Sequence, residues 1–433
     1  MSILRRGIFG WIVVLAICFT PVVLWFMVPV QRFADFTGGM ANVGQLLALV
    51  GSAMFAMDLI LSARFRFIDK IFFGLDKVYL SHEWLGQWAL IFLLFHPLFL
   101  IPKYSAGLAG AASFLWIGSY WPKNWGVISL GLLILLIIFT LYLRPKYNIW
   151  KWTHKFMGFA FFLASLHIWF IPSDTSVYLP LRVYMLSLAG IALLSFAYYV
   201  LFNKILVSKY KYIVSAKNLL NGSAVEIIME PKDRPMKFAS GQFMFVSFSD
   251  KATGGESHPF SITSGEGEGR VGFIAKILGD YTERLRNVSV GSEAKIEGPF
   301  GAFSYKKSKY KNQIWVAGGI GITPFLSMAK SLKKEDGYKI DLYYCVKNET
   351  EAVYLNLLRN ISMFLNNDFR VFTVYSEEGV RIDADYIQKT SGRLSVGNDI
   401  FLCAPLVMIE ALRKQFAAKG IPKGLIHSEE FNF

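Results

Sequence analysis

Cysteine is scarce in this chain: three in 433 residues, Cys18, Cys345 and Cys403, with no CxxC spacing among them. That rules out a disulfide framework and gives no sign of a structural zinc site. Histidine is nearly as rare, with six. Low-complexity tracts are missing, so the chain does not read as linker or tail. Acidic residues number 31 against 45 Lys and Arg, a formal charge of +14. Many of the basic residues sit in short loops beside apolar runs, which points to membrane topology and away from nucleic acid.

What is abundant is apolar surface. The chain is 54% hydrophobic, with a mean hydropathy of +0.40. The excess lies almost wholly before about residue 203, so a membrane half is followed by a soluble half. Six apolar runs are expected to be spans: Ile8–Val30, Ala41–Ala63, Leu80–Pro102, Trp125–Leu143, Trp150–Pro172 and Leu179–Phe202. Each is close to the roughly 20 residues that cross a bilayer as a helix. The first is too long, and too poor in small residues at its end, for a signal peptide. Basic residues crowd alternate loops (Arg5, Arg6; Arg64, Arg66, Lys70, Lys77; Arg144, Lys146, Lys151; Lys204, Lys209, Lys211). The other loops carry few. Both termini and the soluble half are therefore expected in the cytoplasm, with the spans in a plasma or inner membrane.

Four of the six histidines fall inside spans: His82 and His96 in the third, His154 and His167 in the fifth. An ionisable ring in hydrocarbon is costly and reads as functional. Spans three and five run in the same direction, so His82 and His154 share an inner level, and His96 and His167 an outer one. At 1.5 Å per residue the levels stand about 20 Å apart. One metal ion cannot be shared across that distance. Two stacked b-type haems, each with two axial histidines, satisfy the count and the levels. The 14-residue step from His82 to His96 returns to nearly one helix face, whereas the 13-residue step from His154 to His167 does not. Span five must bend, or its ligands must use different rotamers. Arg182 is placed either to meet a propionate of the outer haem or to reach the interface. Glu83 and Gln87 either face the bundle interior or mark the interface. Trp84, Trp88, Trp121, Trp125, Trp150 and Trp152 read as interfacial belt residues.

After Tyr210 the pattern becomes short alternating runs broken by Gly, Asn, Asp and Pro, which predicts an antiparallel barrel of about six strands ending near Tyr305. From Gln313 buried strands alternate with helices: Ile314–Ala317, a glycine turn Gly318-Gly319-Ile320-Gly321, and a helix Pro324–Leu332. Strands Ile340–Val346, Phe369–Tyr375 and Asp399–Cys403 and helices Leu355–Asn366 and Leu406–Lys419 complete a parallel α/β domain. The expected boundaries are 1–207 for the membrane domain, 208–308 for the barrel and 309–433 for the α/β domain. The glycine turn precedes a helix N-terminus, where backbone N–H groups can donate to a pyrophosphate. Gly279-Asp280-Tyr281-Thr282, with Lys276 upstream, is a second such place or a plain helix start.

The run His258-Pro259-Phe260-Ser261-Ile262-Thr263-Ser264, then Gly279–Thr282, Gly298-Pro299-Phe300-Gly301 and Gly318–Pro324, resembles the ferredoxin-reductase-type dehydrogenase module. Joined to a six-span, four-histidine domain, the whole chain resembles the NADPH oxidase and ferric reductase superfamily, above all its bacterial NADPH oxidases. The resemblance implies FAD, NADPH and two haems as cofactors. It places Pro259, Phe260 and Ser261 against the isoalloxazine, Ser261 near N5. His258, Lys276, Gly279 and Thr282 fall on the ribityl-phosphate side. Gly318, Gly319 and Thr323 take the dinucleotide pyrophosphate, and Cys403 with Pro405 lies beside the nicotinamide. The intervening Ala404 stands where relatives carry glycine. Lys347 stands where relatives often have an arginine for the 2′-phosphate; it keeps the charge and loses the fork, which leaves NADH open as a donor. Phe433 would stack on the flavin and step aside for hydride transfer.

The activity implied is transmembrane electron transfer to dioxygen, giving superoxide, without an obligate cytosolic activator. A ferric-chelate reductase and an electron-donating subunit for a membrane or periplasmic partner are the alternatives built from the same parts.

Overall fold

The computed structural model describes residues 3–143, 145–202, 207, 209–250, 253–308, 310–366 and 368–429. Phe433 and the loop cations Arg144 and Lys204 lie outside these. The chain forms two compact units, one of Ile8–Phe72 with Lys77–Val207, the other chiefly of residues from 208 onward.

The first unit is helical: α1 (Ile3–Phe26), α2 (Phe36–Ser62), α3 (Arg66–Phe72), α4 (Leu75–Tyr104), α5 (Gly107–Phe114), α6 (Trp121–Ile138), α7 (Tyr147–His154), α8 (Phe156–Phe170), α9 (Asp174–Val177) and α10 (Leu179–Phe196). Among the described residues five helices are long and apolar enough to cross a membrane: Ile8–Phe26, Phe36–Ser62, Leu75–Tyr104, Trp121–Leu143 and Leu179–Leu201. The run expected as a further single span, Trp150–Pro172, is instead two helices, α7 and α8, meeting at Lys155. Backbone bonds tighten there to three-residue steps, Lys155 N–H to the Trp152 oxygen (3.3 Å) and Gly158 N–H to the Lys155 oxygen (3.2 Å). Such turns rotate further per residue than α-helical ones. The break is thus a bend in span five, one of the two ways of bringing histidines 13 residues apart to one side.

α2 is the centre of this bundle: 67% of its most apolar window is buried, against 11–28% for the other four candidate spans. Small residues let α4 lie close on it. A Cβ on Gly44 would come within 3.0 Å of the His96 backbone oxygen, and one on Gly51 within 3.1 Å of Leu93 and Phe92. Near the end of α1, Arg32 is clamped by Asp174 (2.9 Å), the Trp25 oxygen (2.6 Å) and the face of the Trp25 ring (3.3 Å).

In the second unit β1 (Tyr210–Leu220), β2 (Ala224–Pro231), β3 (Phe243–Phe248), β4 (His258–Ser261), β5 (Val271–Lys276) and β6 (Glu293–Phe300) form an antiparallel sheet in the order β4-β3-β6-β1-β2-β5. Just beyond β4, Thr263 N–H donates to the Gly272 oxygen on β5 (2.9 Å) and draws the two edges together. A short helix, α11 (Asp280–Arg284), follows β5. A parallel sheet comes next, in the order β11-β10-β7-β8-β9, from β7 (Asn312–Gly318), β8 (Lys339–Val346), β9 (Phe369–Tyr375), β10 (Asp399–Cys403) and β11 (Ile426–Glu429). Its helices are α12 (Ile322–Lys330), α13 (Leu355–Phe364), α14 (Ala384–Ser391) and α15 (Leu406–Ala418). One core runs from Ala224 and Ile274 of the antiparallel sheet through Phe303 and Tyr305 to Trp315, Phe325 and Phe401. The strand order reverses between β7 and β10, and the crevice outside the carboxyl ends of those strands is where α/β sheets take their ligands.

Candidate functional site

The four membrane histidines meet in two pairs. The ring centroids of His82 on α4 and His154 on α7 are 6.1 Å apart, and those of His96 on α4 and His167 on α8 are 6.5 Å apart. Two imidazoles on opposite sides of one iron, each at a metal–nitrogen distance of about 2.0–2.1 Å, put their centroids about 6.3 Å apart. The pairs fit that geometry.

Neighbouring backbone fixes three of the rings through Nδ1. His96 Nδ1 donates to the Gly44 oxygen (2.9 Å), His167 Nδ1 to the Pro122 oxygen (2.7 Å) and His82 Nδ1 to the Asp58 oxygen (3.1 Å). A proton held on Nδ1 leaves the lone pair on Nε2, the arrangement of a metal-ligating histidine oriented from behind. His154 Nδ1 is buried without a hydrogen-bond partner among the described residues. Gly126 clears the space for His167, since a Cβ there would stand 2.9 Å from its Nδ1.

The weaker membrane candidates divide. Arg182 lies with its guanidinium 5.7 Å from the centroid of the Trp169 ring. Gln87 donates to Glu83 (3.3 Å) on an exposed face of α4, so these two do not point into the bundle.

In the second unit Ser261 ends β4 with its hydroxyl buried and unpartnered among the described residues. An orphaned hydroxyl costs roughly 1–3 kcal/mol, and a flavin nitrogen would satisfy it. Phe260 is held by stacking on Phe273 (4.1 Å between centroids). His258 stacks on Tyr281 (3.6 Å) and meets Glu256 (3.2 Å), which also pairs with Arg284 (3.0 Å). Burial pushes the Tyr281 phenol up, so it stays neutral. The Thr282 hydroxyl caps its own helix, accepting from Leu278 and Gly279 N–H (3.0 Å each). Lys276 lies 3.9 Å from Glu351, and a Cβ on Gly279 would meet open space.

The dinucleotide end is built at the switch between β7 and β10. A Cβ on Gly321 would strike the Cys403 oxygen at 2.0 Å, and one on Gly318 would stand 2.8 Å from the Ala404 Cβ and 2.9 Å from Pro405. Only glycine allows this approach. Gly319 adopts φ +55° with open space above it, just ahead of α12. That cradle suits a pyrophosphate at a helix N-terminus. The Thr323 hydroxyl is mostly buried and bonds the Ile320 oxygen (3.1 Å). Lys347, just past β8, is exposed. Burial, with Glu429 nearby, holds the Cys403 thiol well above its usual value, so it stands here as a neutral thiol. The Glu429 carboxyl is itself raised by burial.

Residues 47–165 match the family described as ferric reductase like transmembrane component, 210–322 the FAD-binding domain and 315–414 the oxidoreductase NAD-binding domain. In order along the chain, it is thus similar to a ferric-reductase-like transmembrane component, an FAD-binding domain and an NAD-binding domain. The ferric-reductase match takes in His82, His96 and His154 and stops short of His167. Ferric reduction oxidase 8, mitochondrial, of Arabidopsis thaliana is 25% identical over 323 residues, 66% of this chain and 39% of that protein. The 2-halobenzoate 1,2-dioxygenase electron transfer component of Burkholderia cepacia is 29% identical over 185 residues, 41% of this chain and 54% of that protein. This chain thus spans about half or less of these relatives. A flavohemoglobin from Malassezia yamatoensis with bound FAD and heme has a similar fold, with a TM-score of 0.50 at 17% identity, covering 91% of this chain and 98% of that one.

Sequence reasoning missed the partners behind the histidines: Gly44, Asp58, Pro122 and Gly126. The signal for two of them was present, since Gly44, Gly51 and Asp58 recur every seven residues and share one face of α2. It also missed α14 and β11, whose runs are short and only partly apolar.

Proposed function

We propose that this chain carries electrons across a membrane, from NADPH through FAD and two bis-histidine haems to dioxygen, and releases superoxide. The observation behind this reading is the pair of histidine separations, 6.1 and 6.5 Å, in a chain whose other half has flavin and dinucleotide modules. His82 and His154 would hold one haem, and His96 and His167 the other. When bound, haem supplies one-electron carriage, and the flavin is the cofactor that splits a hydride into single electrons.

The chain's own residues do the placing. The Ser261 hydroxyl is positioned to hydrogen-bond flavin N5, the Gly318-Gly319 turn to receive the pyrophosphate, and Lys347 to attract the 2′-phosphate. Cys403, neutral and wholly buried, would lie beside the nicotinamide and take no proton. A haem held by two histidines would have no free ligand position for an acceptor, which favours a small acceptor that takes single electrons without binding iron. The loop charges support a cytoplasmic dehydrogenase half and a multi-pass half in the plasma or inner membrane.

Ferric-chelate reduction is the second reading, favoured by the ferric-reductase match. It uses the same residues and differs only in the acceptor. The deciding experiment measures haem per chain, NADPH consumption and superoxide-dismutase-sensitive cytochrome c reduction on the purified protein without added activators. Two haems with NADPH-dependent superoxide are expected. Anaerobic Fe(III)-chelate reduction far exceeding oxygen reduction would replace the oxidase reading. NADPH consumption only on addition of a partner, with no superoxide, would make the chain an electron-donating subunit. A protein without a Soret band would sink the haem assignment altogether.

A further inference from the structure

Asp58 is a carboxyl-bearing residue near the C-terminal end of the most enclosed helix, α2, and is only 9% exposed. Placing such a group in a membrane span is costly, so its presence asks for a reason. Among the described residues it forms no ion pair with Lys or Arg. Its Oδ1 stands 2.8 Å from His82 Nδ1, beside the hydrogen bond that Nδ1 makes to the Asp58 backbone oxygen at 3.1 Å. Gly86 on α4 leaves room for the carboxylate, since a Cβ there would come within 3.4 Å of Oδ2.

α2 therefore offers an oxygen to both histidine levels from one face, and the two offers differ. At the outer level His96 meets a neutral carbonyl, that of Gly44, and His167 another, that of Pro122. At the inner level His82 faces a carbonyl and a carboxylate together. A carboxylate behind a ligating imidazole raises the basicity of the ligand, and a more basic ligand favours the oxidised metal.

We propose that Asp58 is a positioning residue for His82 that makes the inner haem the harder of the two to reduce, so that the step from inner to outer haem runs downhill. This rests on the reading of His82 and His154 as haem ligands.

Potentiometric titration of the full-length, haem-loaded protein tests it. Asp58→Asn and Asp58→Ala are expected to keep two haems per chain and raise the lower midpoint, leaving the upper one in place. A tenfold change in the reduction equilibrium is a shift of about 59 mV for one electron. Two haems with both midpoints unmoved, or a shift of the upper midpoint alone, overturns the proposal while the ligand assignment stands. Loss of the inner haem from both variants also overturns it, in favour of a purely structural Asp58. The parent protein gives an independent measure through His167→Ala, which should lose the outer haem and retain the lower-potential wave. Retention of the higher wave refutes the ordering. Absence of haem from the parent protein removes the ligand assignment itself.

Discussion

Gly126→Ala sets two physical effects against each other at one atom. In an exposed helix interior alanine is favoured over glycine by roughly 1 kcal/mol, so propensity alone predicts a gain in stability. The structure predicts a loss of function. The new Cβ would lie 2.9 Å from His167 Nδ1 and 3.0 Å from Cε1 and Cγ. Ordinary carbon contacts begin at about 3.5 Å, so the ring must retreat by about half an ångström. It is tied at 2.7 Å to the Pro122 oxygen on the same helix, and cannot retreat without stretching that bond. Metal–ligand distances tolerate about 0.2 Å. The expected result is a 10–100-fold loss of affinity for the outer haem, about 1.4–2.7 kcal/mol. Pyridine haemochrome assay against protein concentration would then fall from two haems towards one per chain. Gly131→Ala on the same helix is the control, because no atom lies within 4 Å of its Cβ position; it should keep both haems. Two haems with an unaltered spectrum in Gly126→Ala would refute the placement of His167.

Ser261→Ala should slow flavin reduction by NADPH about 2- to 10-fold, the worth of one hydrogen bond, in stopped-flow measurements. Its hydroxyl has no partner among the described residues, so the melting temperature of the flavin-free protein should not fall. Lys347→Ala should raise KM for NADPH and leave KM for NADH in place; equal effects on both donors would remove Lys347 from the 2′-phosphate. Glu429 gives a pH signature. Burial raises its folded carboxyl above the unfolded value, so the folded state binds the extra proton and stability falls as pH rises above the unfolded value of about 4.3. Glu429→Gln should reduce that fall in thermal melts of the full-length protein between about pH 5 and 7; an unchanged slope would contradict the burial.

The parallel sheet shows what a single sequence makes legible. Ile314–Ala317, Ile340–Val346, Phe369–Tyr375 and Asp399–Cys403 are long apolar runs between turn residues, and all four are strands. β11 and α14 were not legible, because their burial comes from neighbours distant in the chain. The glycine turn was legible as a turn, but its fit against Cys403 and Ala404 depends on β7 and β10 lying side by side.

Sequence alone determined the membrane half, the soluble half and the two histidine levels, because hydrophobic length and helical rise are local properties of the chain. It also required either a bend in span five or different rotamers for its two histidines, without saying which. Tertiary structure alone decided the break at Lys155, the 6.1 and 6.5 Å pairings, and the oxygens of Gly44, Asp58 and Pro122 behind the rings. The oxygen–histidine contacts join residues 24 to 52 positions apart, and only helix packing brings such groups within hydrogen-bond reach.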